Sequence, residues 1–244
     1  MPGGRNGATS AATDRVEPPK DDRDASLRPL LLVLTVVTGL VDAVSYLELG
    51  HVFVANMTGN VVFLGFAVAG AQDFSISASL VAIAAFMVGA LAGGRLGSSM
   101  AEHRSRFFAI AILVKLGLVG VALVVAITAV EGDLVRYGLI VLLALAMGLQ
   151  NATARFLAVP DLTTTVLTLT LTGLAADSTP AGGTNPRAGR RLLATGAMFL
   201  GAAVGAFLVF HKGVGAVLAL TLTLLGLNAI AAYRVGSRSV PRPG

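Results

Sequence analysis

Eight runs of apolar residues, at 30–49, 52–71, 78–97, 107–130, 135–157, 162–176, 192–210 and 214–233, follow one another with only short polar breaks. The hydrocarbon core of a bilayer is about 30 Å thick and selects helical stretches of about 20 apolar residues, so this pattern predicts an all-α polytopic membrane bundle. Charge content agrees: 13% of the 244 residues are charged, against about 25% in an ordinary soluble domain. So few charges cannot coat a water-facing globule of this length.

The run 162–176 is short and threonine-rich, and it need not cross. Its alternation of Leu and Thr from Leu167 to Thr172 would read as a strand in water, but an open strand leaves backbone groups unpaired in hydrocarbon. The segment is therefore expected to be helical, or irregular and shielded by other helices. Residues 1–29, rich in Gly, Pro, Asp and Arg, bury too little apolar surface to offset ordering entropy and are expected to form a disordered cytoplasmic tail. They are too polar for a signal peptide. Residues 30–233 form the expected transmembrane domain, and 234–244 a basic C-terminal tail.

The absence of cysteine excludes disulfides and thiolate chemistry, and His51, His103 and His211 lie too far apart in sequence to suggest a zinc helix. The run Gly89, Gly93, Gly94, Gly97 sits inside an apolar helix, not in a phosphate-binding loop. No catalytic residue, metal or cofactor is expected, and an intramembrane enzyme is the weakest reading. The net charge of +5 is carried by tails and loops beside apolar segments, a placement that orients membrane proteins. With no Trp and three Tyr, the chain also lacks stacking platforms for nucleic acid.

The stretch Gly39-Leu40-Val41-Asp42-Ala43 resembles Gly148-Leu149-Gln150-Asn151-Ala152, 109 residues later. Asn56-Met57-Thr58-Gly59-Asn60 and Val166-Leu167-Thr168-Leu169-Thr170 follow at matching places. Small residues then recur every fourth position as Gly89, Gly93, Gly97 and as Ala197, Gly201, Gly205, an interval that lets helix backbones approach closely. Two repeats are expected, 30–130 and 135–233. The same small-residue faces would serve association into a homo-oligomer.

Charge placement decides between topologies. With all eight segments spanning and the N-terminus inside, Arg95, Arg104, Arg106 and Lys212 fall outside, 4 basic residues against 12 inside. If segments two and six dip in and return, only Arg136 and Lys212 stay outside, 2 against 14. Six spans plus two re-entrant or broken segments fit better. Each half then crosses three times, so the halves are inverted, with both termini cytoplasmic.

Asp42 lies roughly 18 Å into the first helix, within hydrocarbon depth. It shares one helix face with Thr35, Thr38 and Ser45, which should look into the bundle. Two readings stand: a pathway for substrate, ion or proton, or a structural cap on exposed backbone amides of the broken segment. Asn151 occupies the matching position of the second half, next to Gln150 and one turn before Arg155. Arg155 either pairs with Asp42 or an anionic substrate, or snorkels to the interface; Lys115, about 12 Å into the fourth helix, is expected to snorkel. Asn56, Thr58, Gly59 and Asn60, with Thr164 and Thr168 in the second half, are the groups that lipid would penalise. They either line a site or pack a re-entrant turn, with Gly59 freeing the backbone at the break.

The run GLVDAVSYLELGHVFVANMTGNVVFLGFAVAG at 39–70, together with Gly148-Leu149-Gln150-Asn151, Arg155 and the threonine-rich stretch, resembles the bacterial YoaK family of membrane proteins, defined by a domain of unknown function. The resemblance covers roughly residues 30–233. Leu169-Thr170 stands where such members often show Thr-Gly, with Gly173 as a substitute. The resemblance implies a multi-pass protein of the bacterial inner membrane and supplies no substrate.

The leading expectation is a small-solute transporter or channel, ion- or proton-coupled, with the lipid bilayer and a small solute or ion as its partners. Asp42, Asn56, Thr58, Asn60, Gln150, Asn151 and Arg155 would line a central cavity. The alternative is a non-transporting scaffold or regulatory protein whose polar groups only stabilise broken helices.

Overall fold

The structure is a computed structural model, and it describes residues 28–101, 103–130, 132–157, 167–184 and 188–238. Residues 1–27 of the expected disordered tail, the last six residues of the basic tail and Thr164 lie outside these, while Arg28 and Pro29, expected in the tail, open the first helix.

Six long helices carry the apolar runs: α1 (Arg28–Glu48), α3 (Ile76–Ser99), α4 (Arg104–Thr128), α5 (Asp133–Leu157), α7 (Ala188–Lys212) and α8 (Val214–Arg238). Each has 21 to 25 residues, about 32–38 Å at 1.5 Å per residue, and is long and apolar enough to cross a membrane. Two short helices lie between them. α2 (Met57–Val68) has 12 residues and α6 (Leu167–Ala176) has 10, about 18 and 15 Å, too short to cross. The described residues hold no strand, and the Leu-Thr alternation at 167–172 is helical.

Four chain segments that meet at one end of the bundle show that α2 and α6 do not cross. Glu48 at the end of α1, Ala129 after α4, Arg136 at the start of α5 and Lys212 with Gly215 at the α7–α8 junction line one cleft of about 740 Å³. If all eight segments crossed, Glu48 and Ala129 would lie on opposite faces. The first short segment also enters and leaves on that same side, since His51 Nδ1 lies 3.2 Å from the Asp73 carbonyl oxygen. At the opposite end Arg104 of α4 donates to the Leu157 carbonyl that closes α5.

The close helix pairs are α1 with α7 and α3 with α5. A Cβ on Gly39 would strike the Met198 carbonyl oxygen and stand 2.6 Å from the Ala202 nitrogen; one on Gly148 would strike the Phe86 carbonyl oxygen and stand 2.8 Å from the Ala90 nitrogen. Gly201 meets Val36 and Gly89 meets Leu145 in the same reciprocal fashion. Only glycine permits such crossings, because the clashing atoms are backbone and cannot rotate away. These contacts set the register between the two stripes: Gly89 and Gly201 each meet an opposing backbone, and Gly93 and Gly205 follow one turn later. The small-residue stripes are thus occupied within the chain by α5 and α1.

The remaining packing follows one plan: α4 against α8, α4 against α5, α8 against α1, α2 against α3, and α6 against α7. About two-thirds of α1 and half of α5 are buried, against a third or less of the other long helices. α1 and α5 are therefore central. The outer helices turn large apolar side chains such as Met87, Val121, Phe199 and Phe207 outward, the surface that a hydrocarbon solvent requires.

Candidate functional site

The chain between α1 and α2 is irregular yet buried: Leu49, Val52, Val54 and Ala55 are at most 3% exposed. Non-helical backbone at membrane depth is tolerated only where protein or water satisfies its N–H and C=O groups. Two side chains do this here. The Ala55 amide donates to Asp42 Oδ1 at 3.0 Å. The Phe53 amide donates to Asn60 Oδ1 at 2.8 Å, while Asn60 Nδ2 donates back to the Phe53 carbonyl at 2.5 Å. One carboxylate and one carboxamide thus hold the break open from both sides.

Aromatic stacking seals the outer edge of this loop, with Tyr46 against Phe53 at 5.1 Å and Phe63 against Phe74 at 4.7 Å between ring centroids. A Cβ on Gly59 would sit 2.7 Å from the Phe53 ring. Gly59 lies inside helix α2, so its role is to let that ring pack against the first turn; this corrects the expectation that it frees the backbone at the break.

Beside this loop lies a cavity of about 730 Å³. Its walls include residues at matching places of the two halves: Met57 and Leu167, Thr58 and Thr168, Phe86 and Met198. Phe86 and Met198 are also the residues whose carbonyls receive Gly148 and Gly39. Asp42, Asn56, Gly59 and Phe63 complete the polar and aromatic parts of the wall. Of the sequence-derived candidates, the fold therefore gathers Asp42, Asn56, Thr58, Gly59 and Thr168.

The other candidates lie elsewhere. Asn60, fully buried, is engaged with Phe53, and Thr170 at the equivalent place of α6 is buried too. Gln150 faces a separate cluster in which its Nε2 donates to Thr38 Oγ1 at 2.9 Å and its Oε1 accepts from Lys115 Nζ. Asn151 is half-buried and donates to the Met147 carbonyl of its own helix at 2.9 Å. Arg155 is exposed, as a snorkelling side chain would be. Gln150, Asn151 and Arg155 are not among the residues lining the cavity; Gln150 turns toward α1 and α4.

Lys115 is a further correction. It does not snorkel; it is 2% exposed, held in the protein interior by Gln150. Its mid-helix position gave no sign of the acceptor, which comes from α5. Sequence reasoning also passed over Asn228 of α8, which is 2% exposed and donates to the Leu30 carbonyl at 2.9 Å. A lone Asn in an apolar helix was the available signal. The face of Thr35, Thr38, Asp42 and Ser45 does look inward: all four are buried. The two hydroxyls of Thr35 and Thr38 donate to carbonyls one turn back, Leu31 and Leu34. At the second short helix, Arg191 donates to the Gly173 carbonyl and at 2.7 Å to Asp177 Oδ2, tying the end of α6 to the start of α7. Among the described residues no three His, Asp or Glu converge to hold a metal ion.

Fold and site together define a class: a polytopic helical membrane protein whose bundle carries short non-spanning helices around a polar cavity. Residues 30–231 match the family described as "Protein of unknown function (DUF1275)", and the chain belongs to that family. It is similar to the "UPF0700 transmembrane protein YoaK" of Bacillus subtilis (strain 168), 33% identical over 150 residues that cover 61% of this chain and 65% of that one. No solved structure matches the chain. The transmembrane relative and the six apolar helices make this a multi-pass membrane protein.

Proposed function

We propose that the protein is a small-solute transporter or channel of the bacterial inner membrane, built from two inverted repeats, 30–130 and 135–233, with its solute site at their junction. The observation that carries this reading is the cavity whose walls come in matched pairs from both halves, Met57 with Leu167, Thr58 with Thr168 and Phe86 with Met198. Exchange of the halves reproduces the packing plan: α1 on α7 becomes α5 on α3, and α4 on α5 becomes α8 on α1. Three spans per half give the halves opposite orientation, the plan in which alternating access works by rocking one repeat against the other. With both termini cytoplasmic, only Arg136 and Lys212 among the loop and tail cations lie outside. No catalytic step and no nucleic acid enter this reading.

A cavity block tests it. Thr58 is exposed to the cavity, so Thr58→Trp should fill the space without disturbing a packed core. Proteoliposomes are mixed rapidly with iso-osmotic solutions of a panel of polar solutes and followed by light scattering. The expected result is protein-dependent swelling for at least one solute, lost in Thr58→Trp at unchanged melting temperature. Equal behaviour of protein-containing and empty vesicles across the panel would reject transport. One observation favours the alternative of a non-transporting scaffold: Asp42 and Asn60 both hold loop backbone, which a purely structural protein would also need.

A further inference from the structure

Among the described residues lining the cavity, Asp42 is the one ionisable group, and it is 5% exposed. No Lys, Arg or His among the described residues lines it. Lys115 is separated from it by Gln150 and Thr38, one helical turn of α1 further toward the inner end, and Arg155 is exposed elsewhere. The start of α2, whose N-cap residue Asn56 makes no side-chain capping bond, faces the cavity, as do Leu167 and Thr168 of α6. A helix N-terminus carries roughly half a unit of positive charge, against a full negative charge on an ionised carboxylate. An ionised Asp42 is the one full charge among the described lining residues, and a low-dielectric surround magnifies it.

The apolar wall adds a second constraint. Phe86 and Met198 offer an aromatic ring and a thioether, surfaces that attract cations with apolar bodies through the ring quadrupole and polarisable sulfur, whereas the Phe63 ring is stacked between Phe53 and Phe74. A bare metal ion would want several oxygen ligands, and here the oxygens are few and the walls are largely carbon. We propose that the cavity binds a monovalent organic cation, an amine or quaternary ammonium, on Asp42 beside Phe86, in exchange for a proton. The exchange balances: the proton leaves the Asp42 carboxyl as the cation arrives, one positive charge for another. Among the described residues, the groups that line the cavity with Asp42 include Ala55 and Asn56 of the loop, Thr58 and Phe63 of α2, Phe86 of α3, Leu167 and Thr168 of α6 and Met198 of α7, none of them titratable. The substrate class rests on the transport reading only for the exchange step; the binding site stands without it.

Equilibrium dialysis of the purified full-length chain with radiolabelled tetraethylammonium, and in parallel with benzoate, tests the inference. Tetraethylammonium should bind and benzoate should not, with the apparent Kd for the cation rising about tenfold per pH unit once the solution is acid enough to protonate Asp42. Asp42→Asn should abolish binding while keeping its melting temperature, because the amide oxygen can still accept from Ala55. Phe86→Leu should weaken binding by about 2- to 30-fold, the range of a cation–aromatic contact. Benzoate binding in place of tetraethylammonium, binding of neither, or cation binding indifferent to Asp42→Asn would each overturn the proposal. Binding that behaves as expected with no cation flux in proteoliposomes would leave the site standing and remove the transport reading.

Discussion

Individual polar side chains in this protein do the work that water does in a soluble loop. Asn60 satisfies both backbone groups of Phe53, so Asn60→Ala should leave an N–H and a C=O orphaned in a buried place, at about 1–3 kcal/mol each. At about 2–4 °C per kcal/mol for a chain of this size, the thermal midpoint in detergent should fall by several degrees; an unchanged midpoint would show that the loop finds other partners. Lys115 and Gln150 offer a different test. Lys115→Met should cost about 1–3 kcal/mol, because Gln150 Oε1 loses its donor. The double variant with Gln150→Leu should recover most of that loss: both polar partners are gone, and Thr38 still donates to the Leu34 carbonyl. If the double variant is no more stable than the single one, the pair does more than satisfy itself. Asp42, Thr58 and Asn60 were legible as a group because polar residues in apolar runs are conspicuous. Which of them faces a cavity and which faces a carbonyl was not legible, since both roles select the same residue types.

At the scale of helices, close packing of α1 on α7 and of α3 on α5 is set by glycines whose missing Cβ is replaced by a neighbour's backbone. Gly39→Ala and Gly148→Ala each place a methyl against main-chain atoms of the opposing helix. The helices must separate, and a loss of about 1–3 kcal/mol is expected for such overpacking. Gly94→Ala, where a Cβ meets nothing within 4 Å, should be neutral or gain up to about 1 kcal/mol from helix propensity. Thermal midpoints of the three variants check this: equal effects would show that the crossings are looser than drawn. The small-residue intervals were visible as a pattern, but the register was not. Periodicity reports which face is small, and only the opposing helix says which turn of that face is used.

For the whole molecule the decisive quantity is which chain ends share a face of the membrane. The chain has no cysteine, so single cysteines can be introduced without background. Gln72→Cys and Lys212→Cys should both react with a membrane-impermeant maleimide added to intact spheroplasts, and Ser98→Cys, near the opposite end of α3, should react only after permeabilisation. Labelling of Gln72→Cys only after permeabilisation would restore an eight-span topology.

The sequence by itself determined the solvent, the six long helices and the two short ones, because hydropathy, length and charge placement act locally and survive without a partner. Only the tertiary structure decided the register of the glycine crossings, the burial of Lys115 on Gln150, and the division of the polar motif into Asn60 as a backbone clamp and Asp42 with Thr58 and Thr168 around the cavity. Those outcomes depend on which atoms of a distant helix arrive opposite a given side chain. In a membrane the penalty for an unpaired polar group is high enough that the arriving partner, not the residue type, sets its role.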